Sequence, residues 1–126
     1  LAIFLLMLAT INADSAYTLR TPVHQQDIGT SEITDVANSF RRSVILYSRD
    51  YCSHLPKKEA ITKAFDDVTL EFRKLLASRD IIFHTTRSNI VYYTDLYKFQ
   101  SKVTLVYRYE GETSSVSQYL DFEIML

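Results

Sequence analysis

Two leading runs with helical spacing, followed by a long stretch in which apolar and polar residues alternate, predict an α+β domain: two N-terminal helices packed on a curved antiparallel sheet of three or more strands. Strands grouped at the end of a chain pair as hairpins, because parallel pairing requires crossover connections that this order lacks. The 126-residue chain is 47% hydrophobic and 23% charged, a balance typical of a globular protein and not of a disordered one.

The first element is read as a targeting segment. Leu1 to Ala9 is apolar and uncharged, and it gives way to small and polar residues at Asn12-Ala13-Asp14-Ser15-Ala16. This is the order of an h-region and a cleavage region, with Ala13 and Ile11 suited to a cut before Asp14. A bilayer-spanning helix requires about 20 apolar residues, and this run meets Thr10 and Asn12 too early, so no stable membrane anchor is expected. The basic n-region is expected upstream of Leu1. Residues 1–13 are thus assigned as a signal peptide, 14–30 as an extended leader containing Thr21-Pro22 and Gly29, and 31–126 as a single domain. The expected location is secreted and extracellular.

The first helix is expected over about 31–48. Thr30 and Ser31 offer capping hydroxyls, and Ile33, Val36, Ala37, Phe40, Val44 and Tyr47 recur on one helical face. Glu32 and Asp35 come early and Arg49 late, as the helix dipole favours. Arg41 and Arg42 read as a solvated face. The pattern breaks at 48–55, and Pro56 suits the first turn of a second helix, where its missing N–H is not needed. Ala60, Ile61, Ala64, Phe65, Val68, Phe72, Leu75 and Leu76 then form a stripe ending near Ser78. Glu59 and Lys63 stand four apart on this helix.

From Ile81 the period changes to two. Val91, Tyr93, Tyr97 and Phe99 fall on one phase, continued by Val103, Leu105, Tyr107 and Tyr109. Glu110-Gly111-Glu112 marks a hairpin turn, after which Val116, Gln118, Leu120, Phe122 and Ile124 alternate with polar residues. This run reaches Leu126 without a closing turn, so a further strand is expected downstream. The odd-numbered set Tyr93, Tyr97, Leu105 and Tyr107 is expected to face Phe65, Val68 and Phe72 of the second helix.

The chemistry-bearing residues are sparse. A net charge of −1 excludes a broad field for nucleic acid. His24, His54 and His84 lack neighbours at metal-ligand spacing, so no metal site is expected, and two isolated glycines cannot form a phosphate loop. No cofactor is expected. Cys52 is the sole cysteine, open to burial, to pairing with a cysteine outside this sequence, or to an intermolecular disulfide that would join a homodimer. Nine tyrosines and seven phenylalanines, without tryptophan, suggest an aromatic sheet face. Buried rings with wet hydroxyls are the ordinary explanation; the functional one is a concave apolar pocket with His84, Tyr93, Tyr97 and Tyr107 as candidate ligand-binding residues. The absence of a clustered acid, base and nucleophile favours a non-enzymatic binding or interaction domain, with a protein or a small apolar ligand as partner. The alternative is a small lyase or isomerase using His84 with Asp95.

The leading helices, the link near Tyr51-Cys52 with Leu55-Pro56-Lys57-Lys58-Glu59-Ala60-Ile61, and the long antiparallel run resemble the nuclear transport factor 2-like superfamily, in particular its small secreted nematode members. The resemblance covers roughly residues 31–126 and implies a cone-shaped sheet with a pocket between its concave face and the helices, used for ligand binding by some members and for isomerase or dehydratase chemistry by others. This chain departs from the family in lacking an early hairpin between the helices and a final strand. A cystatin-like helix on a sheet is a second resemblance, but the Gln-x-Val-x-Gly loop by which that family binds proteases is missing.

The targeting segment yields the first testable expectation. When the full-length gene is expressed in a eukaryotic host, the intact mass recovered from the medium should correspond to a chain beginning at Asp14. Retention in the cells with Leu1 still attached would reject the assignment.

Overall fold

The computed structural model describes residues 30–126, in the order α1 (Thr30–Tyr51), α2 (Lys57–Ala77), β1 (Ile82–Tyr92), β2 (Leu96–Tyr109) and β3 (Glu112–Met125). The expected signal peptide and the leader up to residue 29, with His24, lie outside the described residues. The three strands form one antiparallel sheet in the order β1-β2-β3. Both helices pack on one of its faces, which is the α+β arrangement anticipated above. The other face is largely exposed and polar, carrying His84, Thr86, Lys98, Lys102, Arg108, Ser117 and Glu123.

The helices begin and end where local chemistry requires. Pro56 sits just ahead of α2, and its carbonyl accepts the first helical bond from Ala60 N–H at 2.8 Å. The missing proline N–H costs nothing there. At the other end the chain passes into the left-handed region at Asp80 (φ 60). The Asp80 N–H bonds to the Ala77 carbonyl and the Ile81 N–H to the Leu76 carbonyl, a Schellman closure in which buried Ile81 and Leu76 supply the accompanying apolar contact. The five-residue turn 52–56 joins the helices and contains no hairpin. Lys63 pairs with Asp67 at 2.9 Å, one turn further along α2, and not with Glu59.

The β2–β3 turn has only Glu110 (φ 53) and Gly111 (φ 81) between the paired Tyr109 and Glu112. Two consecutive positive φ values define the primed turn that matches strand twist. The Arg108 guanidinium donates to the Gly111 carbonyl at 2.6 Å, holding the turn from the strand that leads into it.

Alternation places Phe83 of β1, the odd positions of β2 and the even positions of β3 on the helix-facing side, since the register sets Phe83 beside Leu105 and Phe99 beside Phe122. One segment departs from the expected phase. β1 carries a bulge between Ser88 and Val91, with Asn89 at φ 52, so Val91 lies opposite Lys98 on the outer phase and Tyr92 opposite Tyr97 on the inner phase. Tyr93 falls beyond the strand and is 54% exposed, and the expected Tyr93 contact with α2 does not form. The extra residue reverses the alternation for everything after it in β1.

The core is a network of rings. Phe40 of α1 meets Phe65 and Phe72 of α2 edge-on, with centroids 5.2 and 5.6 Å apart, and lies 5.4 Å from Phe83 of β1. Phe65 continues to Phe99 and Phe122, which stack at 4.8 Å across β2 and β3. The half-buried Arg87 guanidinium lies 5.3 Å from the Phe65 ring centre and 5.6 Å from that of Phe99, while one N–H reaches the Tyr97 hydroxyl at 3.4 Å. Ser101, across the ladder from Arg87, has a buried hydroxyl without a partner among the described residues. Phe72 is 5% exposed and touches both Phe40 and Phe83. Truncating it leaves a void between three elements, and Phe72→Ala should therefore cost about 3 to 5 kcal/mol in denaturant unfolding. A variant as stable as the wild type would reject this packing scheme.

Candidate functional site

A groove of about 1150 Å³ lies between α1 and β3. Its α1 wall is formed by Asn38, Arg41, Arg42, Ile45, Ser48 and Arg49. Their spacing of three and four places them on one helical face, adjacent to the buried stripe. Five consecutive residues, Asp121 to Met125, make the opposite wall, and Leu55, Lys57, Ala60 and Ile61 contribute from the turn and the start of α2. Ala60, Ile61 and Phe122 are buried, whereas Ile45 and Met125 are 46% and 66% exposed.

Two cross-ties bound the groove. The Thr34 hydroxyl donates to Gln118 Oε1 at 2.7 Å, joining α1 to β3, and Lys57 Nζ donates to the Met125 carbonyl at 3.2 Å. Between these ties β3 advances seven residues, or about 23 Å at strand rise. Over a similar span α1 advances about fourteen residues. Four cationic side chains, Arg41, Arg42, Arg49 and Lys57, and two carboxylates, Asp121 and Glu123, line the groove, and Arg49 is also paired with Asp50 at 3.0 Å. The groove is therefore locally basic on a chain whose net charge is −1.

The residues singled out in the sequence lie elsewhere. Tyr97 and Tyr107 are buried at 2% and 7% exposure, and the Tyr97 ring packs 5.4 Å from Phe99. The space between helices and sheet at this level is filled by side chains. Tyr93 lies in the β1–β2 turn, where its N–H bonds to the Leu96 carbonyl. His84 is exposed on the outer face, opposite Thr104. Asp95 belongs to the turn at the far end of β1, and eight residues of strand between His84 and Tyr92 put the two groups roughly 25 Å apart. The couple required by the lyase or isomerase alternative is not brought together. His54 is exposed in the turn after α1 while Cys52 is buried, so they do not form a nucleophile pair. Among the described residues no cluster of His, Cys, Asp or Glu could hold a metal ion, and no helix is long and apolar enough to cross a membrane.

Cys52 is fully buried at the end of α1, and burial pushes its thiol up from the ordinary value. An interchain disulfide would require this turn to open. Beside it, Asp67 accepts from the Tyr47 hydroxyl at 3.1 Å and from Lys63 at 2.9 Å. Burial first, and then the Asp67 charge and hydrogen bond, push Tyr47 up to about 12.

The defining arrangement is thus a small α+β domain with a helix–edge-strand groove. No family model, curated protein or solved structure matches this chain.

The Tyr47 environment has a measurable pH signature. Folding favours the protonated phenol, so its stabilising effect is present in full below about pH 10, the ordinary tyrosine value, and is lost as pH rises through about 12. Subtracting the ultraviolet titration of Tyr47→Phe from that of the wild type should reveal a phenol ionising near 12, and Asp67→Asn should lower that midpoint. A difference curve centred at 10 would contradict the assigned environment.

Proposed function

We propose that this protein is a secreted, non-enzymatic binding domain whose ligand, a largely apolar molecule or protein segment, lies in the groove between α1 and β3. Secretion is supported by the apolar run Leu1 to Ala9 and the small residues that follow it. Binding is supported by one observation above all: exposed Ile45 stands beside a floor of Ala60, Ile61 and Phe122 within a single bounded concavity. Apolar walls with a few charged groups at the rim are the usual composition of a ligand site. We further propose a relationship to the nuclear transport factor 2-like superfamily, supported by two helices ahead of long antiparallel strands. The ligand site would then be displaced from the family's interior pocket to the edge of the sheet, since aromatic side chains occupy the interior here.

The test uses 1-anilinonaphthalene-8-sulfonate, an apolar fluorophore with one anionic group. The native protein should bind one equivalent with a blue-shifted emission, and Ile45→Glu should weaken binding about tenfold, the consequence of losing roughly 50 Å² of apolar contact. Tyr119→Glu, on the outer sheet face, serves as the control. Binding that is unchanged in Ile45→Glu, or reduced equally by the control, would sink the groove as the site.

A further inference from the structure

We infer that the occupant of this groove is an extended peptide segment of a partner protein that adds to the sheet as a fourth strand along the free edge of β3. This rests on the groove being the binding site and goes further by naming the ligand class and the mode of recognition.

The first support is the composition of the β3 wall. Asp121, Phe122, Glu123, Ile124 and Met125 all line the cavity. Successive side chains of a strand point to opposite faces, so five consecutive residues can border one cavity only along the strand's edge, where the backbone itself is presented. Among the described residues β3 is an edge strand, and its register with β2 continues without a bulge through fourteen pairs from Leu96–Met125 to Tyr109–Glu112. Its other edge therefore offers a regular row of N–H and C=O groups. The Lys57 bond to the Met125 carbonyl closes only the end of that row. A slot with a β-edge on one side and a helix on the other matches the geometry of peptide recognition by strand addition, in which main-chain bonds supply affinity and alternate side chains supply specificity.

Charge selects the segment. A peptide on this edge would turn alternate side chains toward α1 and the remainder toward the outer sheet face. Those directed at α1 meet Arg41 and Arg42 on one side of Ile45 and Arg49, itself paired with Asp50, on the other, which favours acidic residues flanking an apolar one. Those on the outer face lie beside Asp121 and Glu123, where further acids would be repelled and neutral polar residues are favoured. The distance between the two cross-ties accommodates about seven residues. The recognised segment thus alternates neutral polar residues with an acid–apolar–acid series.

A capped heptapeptide of threonines, with glutamate, isoleucine and glutamate at its second, fourth and sixth positions, is the probe. Calorimetric titration should show one-to-one binding, and a version with lysines replacing the glutamates should bind at least about tenfold more weakly. Arg41→Glu, at an exposed position, should remove that preference. Methylating the peptide nitrogens in one alternate phase should abolish binding, while methylating the other phase should leave it within about twofold, because only one phase faces β3. Equal effects of the two phases would overturn strand addition. So would protection from exchange, without peptide, of those amides of residues 121–125 that point away from β2, since the chain itself or a second copy would then occupy the edge. Retained fluorophore binding with no binding of the peptide would reject this inference and leave the groove reading standing; loss of both would reject both.

Discussion

Three elements meet at the ring of Phe40. It is fully buried on α1 and contacts Phe65, Phe72 and Phe83, so a single side chain fixes the separation of the two helices and of both from the sheet. Edge-to-face rings are satisfied only within a narrow range of approach, and a close-packed interior transmits any shift at one ring to the next. The stack of Phe99 on Phe122 carries this constraint across β2 and β3. The aromatic content that suggested a ligand pocket on the concave face is instead what closes it.

Once the interior is full, a concavity can form only where an element lacks a neighbour. α1 is tied to β3 at Thr34 and Gln118, but the chain must then turn at 52–56 to bring α2 back beside it. α2 packs most closely against β1, as the Thr69–Thr85 contact at 3.2 Å and the Phe72–Phe83 pair show. Past the Thr34–Gln118 tie, α1 and β3 stand apart as far as the Lys57 contact with Met125. The groove is the consequence of two helices sharing a three-stranded sheet unequally.

Much of this fold was legible in the sequence because it depends on local periodicity. The two apolar stripes, the break at Pro56 and the turn at Gly111 each report on residues within a few positions of themselves. The misplacement of Tyr93 has a comparably local cause, an extra residue at Asn89, but asparagine tolerates both strand and left-handed conformations and so does not announce a bulge. The groove was not legible for a different reason. Its walls are about eighty positions apart in the chain, and no spacing rule connects Arg41 with Asp121. Ile45 carried the only hint, being an apolar residue just off the buried stripe of α1. An off-stripe apolar residue on a helix is common, and its meaning comes only from the strand that stands opposite.

The two edges of the sheet differ in a way that gives the proposed recognition its direction. β1 is bulged between Ser88 and Val91, which interrupts its hydrogen-bonding row and twists the strand. Such an edge is a poor template for another chain, and bulges are among the ordinary means by which proteins avoid edge-to-edge association. β3 has no such interruption, although an unbroken fourteen-residue edge invites pairing with another strand. α1 covers its approach from the helical side, and Asp121 and Glu123 place like charges where a second β3 would have to align antiparallel and in close register. Self-pairing through 121–125 would oppose carboxylate to carboxylate, whereas a segment with neutral residues on its outer phase meets no such repulsion. The same two side chains that guard the edge against its own copy therefore leave it open to a strand of different composition.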